Sequence, residues 1–100
     1  MIDELLPLIR GGGVVVLSGA GISTDSGIPD YRGPASPSRT PMTYLAFTAD
    51  PENRGRYWAR SFVGWHRIAR AAPNASHRAV ADLERAGLVD AVITQNIDDF

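Results

Sequence analysis

Two short polar segments stand directly behind apolar runs in this chain. Gly19, Ala20, Gly21, Ile22, Ser23 and Thr24 follow the β-branched run 14–17, and Gln95, Asn96, Ile97 and Asp98 follow residues 88–94. A glycine pair after a strand lets the backbone turn tightly and lets a ligand come close to it. The unpaired amides that open the next turn, with the positive end of its dipole, then form a cradle for a phosphate-like anion. The general dinucleotide fingerprint asks for a third glycine where Thr24 stands, so on these residues alone the turn serves equally well as a tight connection. Residues 95–98 lie at the carboxyl end of the second run, where strands of an open α/β sheet present polar groups to ligands. Asp98 at that place also suits the cap of a following helix.

The elements that must position these groups can be read from periodicity. Ile2, Leu5, Leu6 and Ile9 make a helical stripe that ends at Gly11, Gly12 and Gly13, with Pro7 as an irregularity inside it. Residues 14–17 are a continuous apolar run without polar alternation, the pattern of a strand buried on both faces of a parallel sheet, and residues 88–94 read as another buried strand. Between residues 27 and 41 four prolines, Pro29, Pro34, Pro37 and Pro41, predict a long loop of the kind that binds ligands or stays disordered. Trp58, Phe62, Trp65 and Ala69 recur at steps of four, three and four, predicting an amphipathic helix over 52–71 packed on its aromatic side. Asn74 or Ser76 caps a second helix with Ala79, Val80 and Leu83 inward and Gly87 past its end. Such an order predicts one α/β domain without internal repeats.

Composition narrows the function. One hundred residues, 44% hydrophobic and 21% charged, suit a folded domain that buries roughly two-thirds of its unfolded surface. A net charge of −1, with all ten basic residues arginine and no block of like charge, points to no nucleic-acid partner and no membrane surface. Without cysteine there is no disulfide, thiolate nucleophile or cysteine-ligated zinc within these residues. The apolar runs are too short to cross a bilayer, and Met1, Ile2, Asp3 and Glu4 lack the basic start of a signal peptide, so the expected location is cytoplasmic.

Taken together, the segment from Gly19-Ala20-Gly21-Ile22-Ser23-Thr24 through Asp25-Ser26-Gly27-Ile28-Pro29 to Asp30-Tyr31-Arg32-Gly33-Pro34 resembles the cofactor-binding loop of sirtuins nearly residue by residue. Thr94-Gln95-Asn96-Ile97-Asp98 resembles the family's second block, and Pro73-Asn74-Ala75-Ser76-His77 its Pro-x-x-x-His element. The resemblance implies a partial Rossmann-like doubly wound parallel sheet that binds NAD, and an NAD-dependent protein lysine deacylase that moves the acyl group to ADP-ribose and releases nicotinamide. It implies that Gly19 to Thr24, with Ala20, Gly21 and Ile22 foremost, hold the diphosphate and ribose. Asp30, Tyr31 and Arg32 would form a lid, where the planar Arg32 fork suits phosphate or ribose oxygens. Gln95 and Asn96 would meet the nicotinamide ribose and a water, with Ile97 beside them, and Asp98 would accept from the carboxamide.

In the family pattern the catalytic histidine would come directly after Phe100, so residues 1–100 are expected to be the amino-terminal part of the catalytic domain. They carry no catalytic base, and the zinc is expected in the part that follows. His66 falls in the arginine-rich helix and His77 in a structural element, so neither replaces that base. Residues 56–65 resemble the matching helix of class II, mitochondrial-type sirtuins and their actinobacterial relatives. Tyr57 and Arg60 also fit a Tyr-x-x-Arg pair by which another branch reads acidic acyl groups, although an exposed arginine beside a core tyrosine explains them as well. The expected partner is an acylated lysine of a protein substrate, with the oligomeric state open. A non-catalytic NAD-binding module and a protein ADP-ribosyltransferase are the alternatives.

Overall fold

The computed structural model describes residues 1–34 and 41–100; residues 35–40 of the proline-rich stretch, Pro37 among them, lie outside the described residues. Helix α1 spans Ile2–Arg10, with Asp3 and Glu4 in its first turn and Arg10 in its last, each sign placed favourably for the helix dipole. It runs through Pro7 unbroken, since a proline removes only its own amide bond when the flanking turns hold. Gly12 and Gly13, at φ 75° and 68°, turn the chain in the left-handed region into strand β1, Val14–Ser18. A 3₁₀ segment, Ala20–Ser26, follows and ends at Gly27.

Two further helices form a separate arm. Helix α2, Tyr44–Ala49, starts at Thr43, whose side chain accepts from the Ala46 amide at 3.1 Å. Helix α3, Pro51–Arg70, starts at Asp50, whose carboxylate accepts from the Glu52 amide at 2.9 Å, with Pro51 in the first turn, where its missing amide has no intrahelical partner to lose. Asn53 Nδ2 donates to the Ala46 carbonyl at 2.9 Å, and Arg54 to those of Phe47 and Thr48 at 3.2 and 3.1 Å, so α3 caps the open end of α2. Helix α4, Ala75–Arg85, leads through Gly87 at φ 77° into strand β2, Val89–Thr94.

Strands β1 and β2 pair in parallel, from Val14↔Val89 to Ser18↔Thr94, with one irregularity between Val14 and Val15. Both strands therefore present their carboxyl ends at the same edge, and the two polar segments leave from that edge together. Among the described residues the expected burial differs from what is found. Val89 is the one buried apolar side chain, while Leu17 and Ile93 stay 79% and 56% exposed. Trp58, Phe62 and Trp65 are likewise exposed, so the aromatic stripe of α3 has the predicted period but no partner. The cause is the number of layers: two strands with α4 beside them cover one face and leave the other bare. The chain exposes 8028 Å², where a compact monomer of 10.8 kDa exposes about 5,500 Å². No helix among the described residues is long and apolar enough to cross a membrane.

Candidate functional site

Beyond β1 the chain stays extended at Gly19 (φ −134°, ψ −164°), then tightens into the 3₁₀ segment. The first internal bond of that segment runs from the Ile22 amide to the Gly19 carbonyl at 3.2 Å, so the Ala20 and Gly21 amides precede any repeating partner. Thr24 Oγ1 donates back to the Gly21 carbonyl at 2.9 Å, which ties the turn to itself where the general fingerprint has glycine. Gly27 closes the segment at φ 86°, a left-handed position that favours glycine. Neither Gly19 nor Gly21 has a positive φ, and a Cβ added at either meets nothing within 4 Å. Glycine at these two places therefore answers no steric need of the described residues, and the open space beside them suits a ligand lying close on the backbone.

The second segment is bonded to the first. Asn96 Nδ2 donates to the Gly19 carbonyl at 2.9 Å. Ser23, 1% exposed, donates through Oγ to Asp98 Oδ2 at 2.5 Å. Between the two segments lies a cavity of about 730 Å³. Its wall includes Gly19, Ala20, Ser23 and Tyr31 from the amino-terminal side and Gln95, Asn96, Ile97 and Asp98 from the other. Small-molecule and cofactor pockets run from roughly 300 to 1,000 Å³.

Not every expected residue reaches that wall. Gly21 and Thr24 lie in the turn behind it, and Ile22 faces a second cavity of about 480 Å³ between α4 and the strands. Asp30 turns its carboxylate to its own loop, where Oδ1 accepts from the Gly33 amide at 2.7 Å. A Cβ at Gly33 would collide with that carboxylate, so a side chain there would push Asp30 out of its bond to the turn. Arg32 is exposed and lines none of these cavities. Tyr57 and Arg60 share a neighbouring cleft of about 400 Å³, and Tyr57, Ile68 and Ile97 form the wall common to that cleft and the larger cavity. The Tyr57 ring is held edge-on by Phe47 at 5.2 Å and Trp58 at 5.3 Å.

Sequence reasoning missed the link from Ser23 to His77 Nε2, at 3.3 Å across 54 positions, and the role of Ile68 in the shared wall. A histidine at the third position of a capped helix, in place of the usual glutamate or glutamine, is the local signal that pointed to the first. Among the described residues no group of three or more histidine, aspartate or glutamate side chains is placed to hold a metal ion.

The family model described as Sir2 family matches residues 19–100, which is most of the chain and holds both bonded segments. The chain belongs to the Sir2 family. Among its Sir2 relatives, NAD-dependent protein deacetylase 1 of Streptomyces coelicolor is 66% identical over 92 residues, covering 90% of this chain and 31% of that protein. NAD-dependent protein deacetylase 1 of Mycobacterium avium is 59% identical over 95 residues, covering 95% of this chain and 34% of that protein. A solved Sir2 complex with a p53 peptide and NAD+ is 42% identical, with a TM-score of 0.75 over 98% of this chain and 39% of that one. The chain thus spans about a third of the length of the curated Sir2 relatives it matches, and its parallel α/β arrangement is that of the Sir2 catalytic fold.

Proposed function

We propose that this chain forms the amino-terminal part of an NAD-dependent protein lysine deacylase and supplies much of its cofactor site. One observation carries the reading: two segments far apart in sequence leave adjacent parallel strands, bond to each other through Asn96–Gly19 and Ser23–Asp98, and enclose one cavity. The open Cβ positions at Gly19 and Gly21 fit a dinucleotide backbone drawn close to the chain. Ala20 offers its amide to the diphosphate from the cavity wall, and Tyr31, in the same wall, forms part of the lid. Asp98 is the acceptor for an amide N–H of the nicotinamide end, and Gln95 and Asn96 orient the ribose beside it. Bound NAD supplies the electrophilic ribose carbon and the nicotinamide leaving group. The protein's part is to seat that carbon at the wall shared with the Tyr57 cleft and to keep water from it.

The acyl-lysine belongs in the cleft lined by Tyr57 and Arg60, one helical turn apart on α3, where a phenol and a guanidinium reach a single acidic acyl group. The general base and the zinc ligands belong to the remainder of the longer Sir2 proteins. His66 lines a different cavity, beside residues 26–29, and His77 is engaged by Asn74 and Ser23. A cytoplasmic location goes with this reading, supported by a sequence without cysteine. The test is turnover by the protein at its natural length, with NAD and acetyl- and succinyl-lysine peptides, read by product mass. Nicotinamide and O-acyl-ADP-ribose are expected. Transfer of ADP-ribose to protein, or NAD binding without any product, would replace deacylation by one of those activities.

A further inference from the structure

Four polar groups from three segments form a chain, of which the cofactor reading uses Ser23 and Asp98 but neither Asn74 nor His77. It begins at the amino end of α4, where Asn74 Oδ1 accepts from the Ser76 and His77 amides at 2.8 and 3.4 Å. Asn74 Nδ2 donates to the Ile22 carbonyl at 2.7 Å and to Ser26 Oγ at 3.1 Å, which pins the glycine loop to the helix. The backbone N–H of Asn74 donates to His77 Nδ1 at 3.0 Å. That bond selects the tautomer, because a ring nitrogen that accepts an N–H carries no proton, and a neutral imidazole then bears its hydrogen on Nε2. Nε2 stands 3.3 Å from Ser23 Oγ. With the imidazole donating, the hydroxyl accepts on that side and sends its single proton to Asp98 Oδ2, 2.5 Å away.

Every hydrogen in the chain therefore points the same way, from the α4 cap to the carboxylate at the cavity wall. Ser23 is 1% exposed, so its hydroxyl is held by these partners and not by bulk solvent. The Phe100 ring meets the imidazole edge-on at 5.2 Å and limits its rotation. The Phe100 amide donates to the other carboxylate oxygen at 3.3 Å, leaving Asp98 donors on both oxygens and no freedom to swing.

The geometry points to Asn74 and His77 as positioning residues that act through Ser23 to hold the Asp98 carboxylate as a fixed acceptor for a ligand amide. The inference deepens the cofactor reading and rests on Asp98 facing the nicotinamide end. Capping alone does not explain the histidine, since glutamate or glutamine at this position returns a side-chain acceptor to the cap amide equally well. A glutamate, however, offers Ser23 no donor. Only a side chain that accepts at one end and donates at the other continues the chain, and histidine and glutamine both do.

His77→Gln and His77→Glu in the protein at its natural length separate the two roles. Calorimetry would compare NAD with ADP-ribose, which lacks nicotinamide, and ¹⁵N spectra of the imidazole would report the tautomer. The expected result is an Nε2–H tautomer in the parent protein, with NAD affinity in His77→Gln within about threefold of it. In His77→Glu, NAD should bind roughly tenfold more weakly while ADP-ribose changes by less than about threefold. Equal behaviour of the two variants, parallel losses for both nucleotides, or an Nδ1–H tautomer would overturn the proposal. A parent protein that binds neither nucleotide overturns the cofactor reading itself and this inference with it. A parent that binds both while the variants behave alike overturns the inference alone.

Discussion

Replacing Gly19 and Gly27 by alanine, one at a time, separates a glycine kept for a ligand from a glycine kept for the fold. Gly27 sits at φ 86°, so an added Cβ is strained whatever room surrounds it, and Gly27→Ala should cost about 1–2 kcal/mol of stability. Gly19 sits at φ −134° and ψ −164°, a backbone any residue adopts, and its Cβ would point into open space. Stiffening the unfolded chain there is worth about 0.4–1 kcal/mol. A few tenths of a kcal/mol are lost because glycine outranks alanine at the start of a helical turn. The two effects leave Gly19→Ala within about 0.5 kcal/mol of the parent protein. Binding should behave in the opposite way. Gly19 forms part of the wall of the 730 Å³ cavity, and a methyl group there holds a diphosphate away from the amides that follow. NAD affinity should fall at least about tenfold, equivalent to roughly 1.4 kcal/mol. Urea unfolding measures the first quantity and calorimetric titration the second. Unchanged NAD affinity in Gly19→Ala, or a loss of stability as large as that of Gly27→Ala, would refute the reason given for this glycine.

Other expected outcomes are briefer. Asn74→Ala removes a helix cap and two bonds to the glycine loop together, and should cost about 2 kcal/mol in urea unfolding, well above the ~1 kcal/mol typical of a cap alone. Arg60→Met should lower turnover of a succinyl-lysine peptide roughly tenfold more than turnover of an acetyl-lysine peptide; equal losses would remove Arg60 from acyl recognition. Glu52→Gln breaks the Arg56–Glu52 pair of 3.1 Å, but the side chains are 63% and 71% exposed, so stability should move by less than about 0.5 kcal/mol in low or high salt.

How much of this was legible beforehand depended on whether its cause was local. The run 14–17 became Val14–Ser18 and the run 88–94 became Val89–Thr94, because β-branched residues bounded by glycine leave little choice. Helix α4 begins at the cap Asn74 and turns at Gly87, as its end signals require. Helix α2 escaped notice, being six residues of mixed character whose only mark is Thr43. The Asp50-Pro51 start of α3 was visible in principle, since an acidic cap followed by proline is a strong helix opening. At the site, residues 19–24 and 95–98 were identified from strand ends and family resemblance, but which of them face the cavity was not. Asp30 illustrates the difficulty, for a short acid before glycine bonds its own turn as readily as a ligand. The chain through His77 left only one local trace, a histidine at the third position of a capped helix; its partners stand 54 and 75 positions apart and meet only once β1 and β2 pair.

That separation also sets an order of events in synthesis. Ser23 leaves the ribosome long before Asp98, and 75 residues at 5–20 per second take roughly 4–15 s. Throughout that interval the glycine loop has neither its carboxylate nor the second strand that anchors it, and closing so long a loop is itself slow. The glycine loop consequently stays unanchored until translation reaches β2 and the residues behind it. A dinucleotide arriving after that moment would act as a latch, drawing the newly joined halves toward the folded side by mass action.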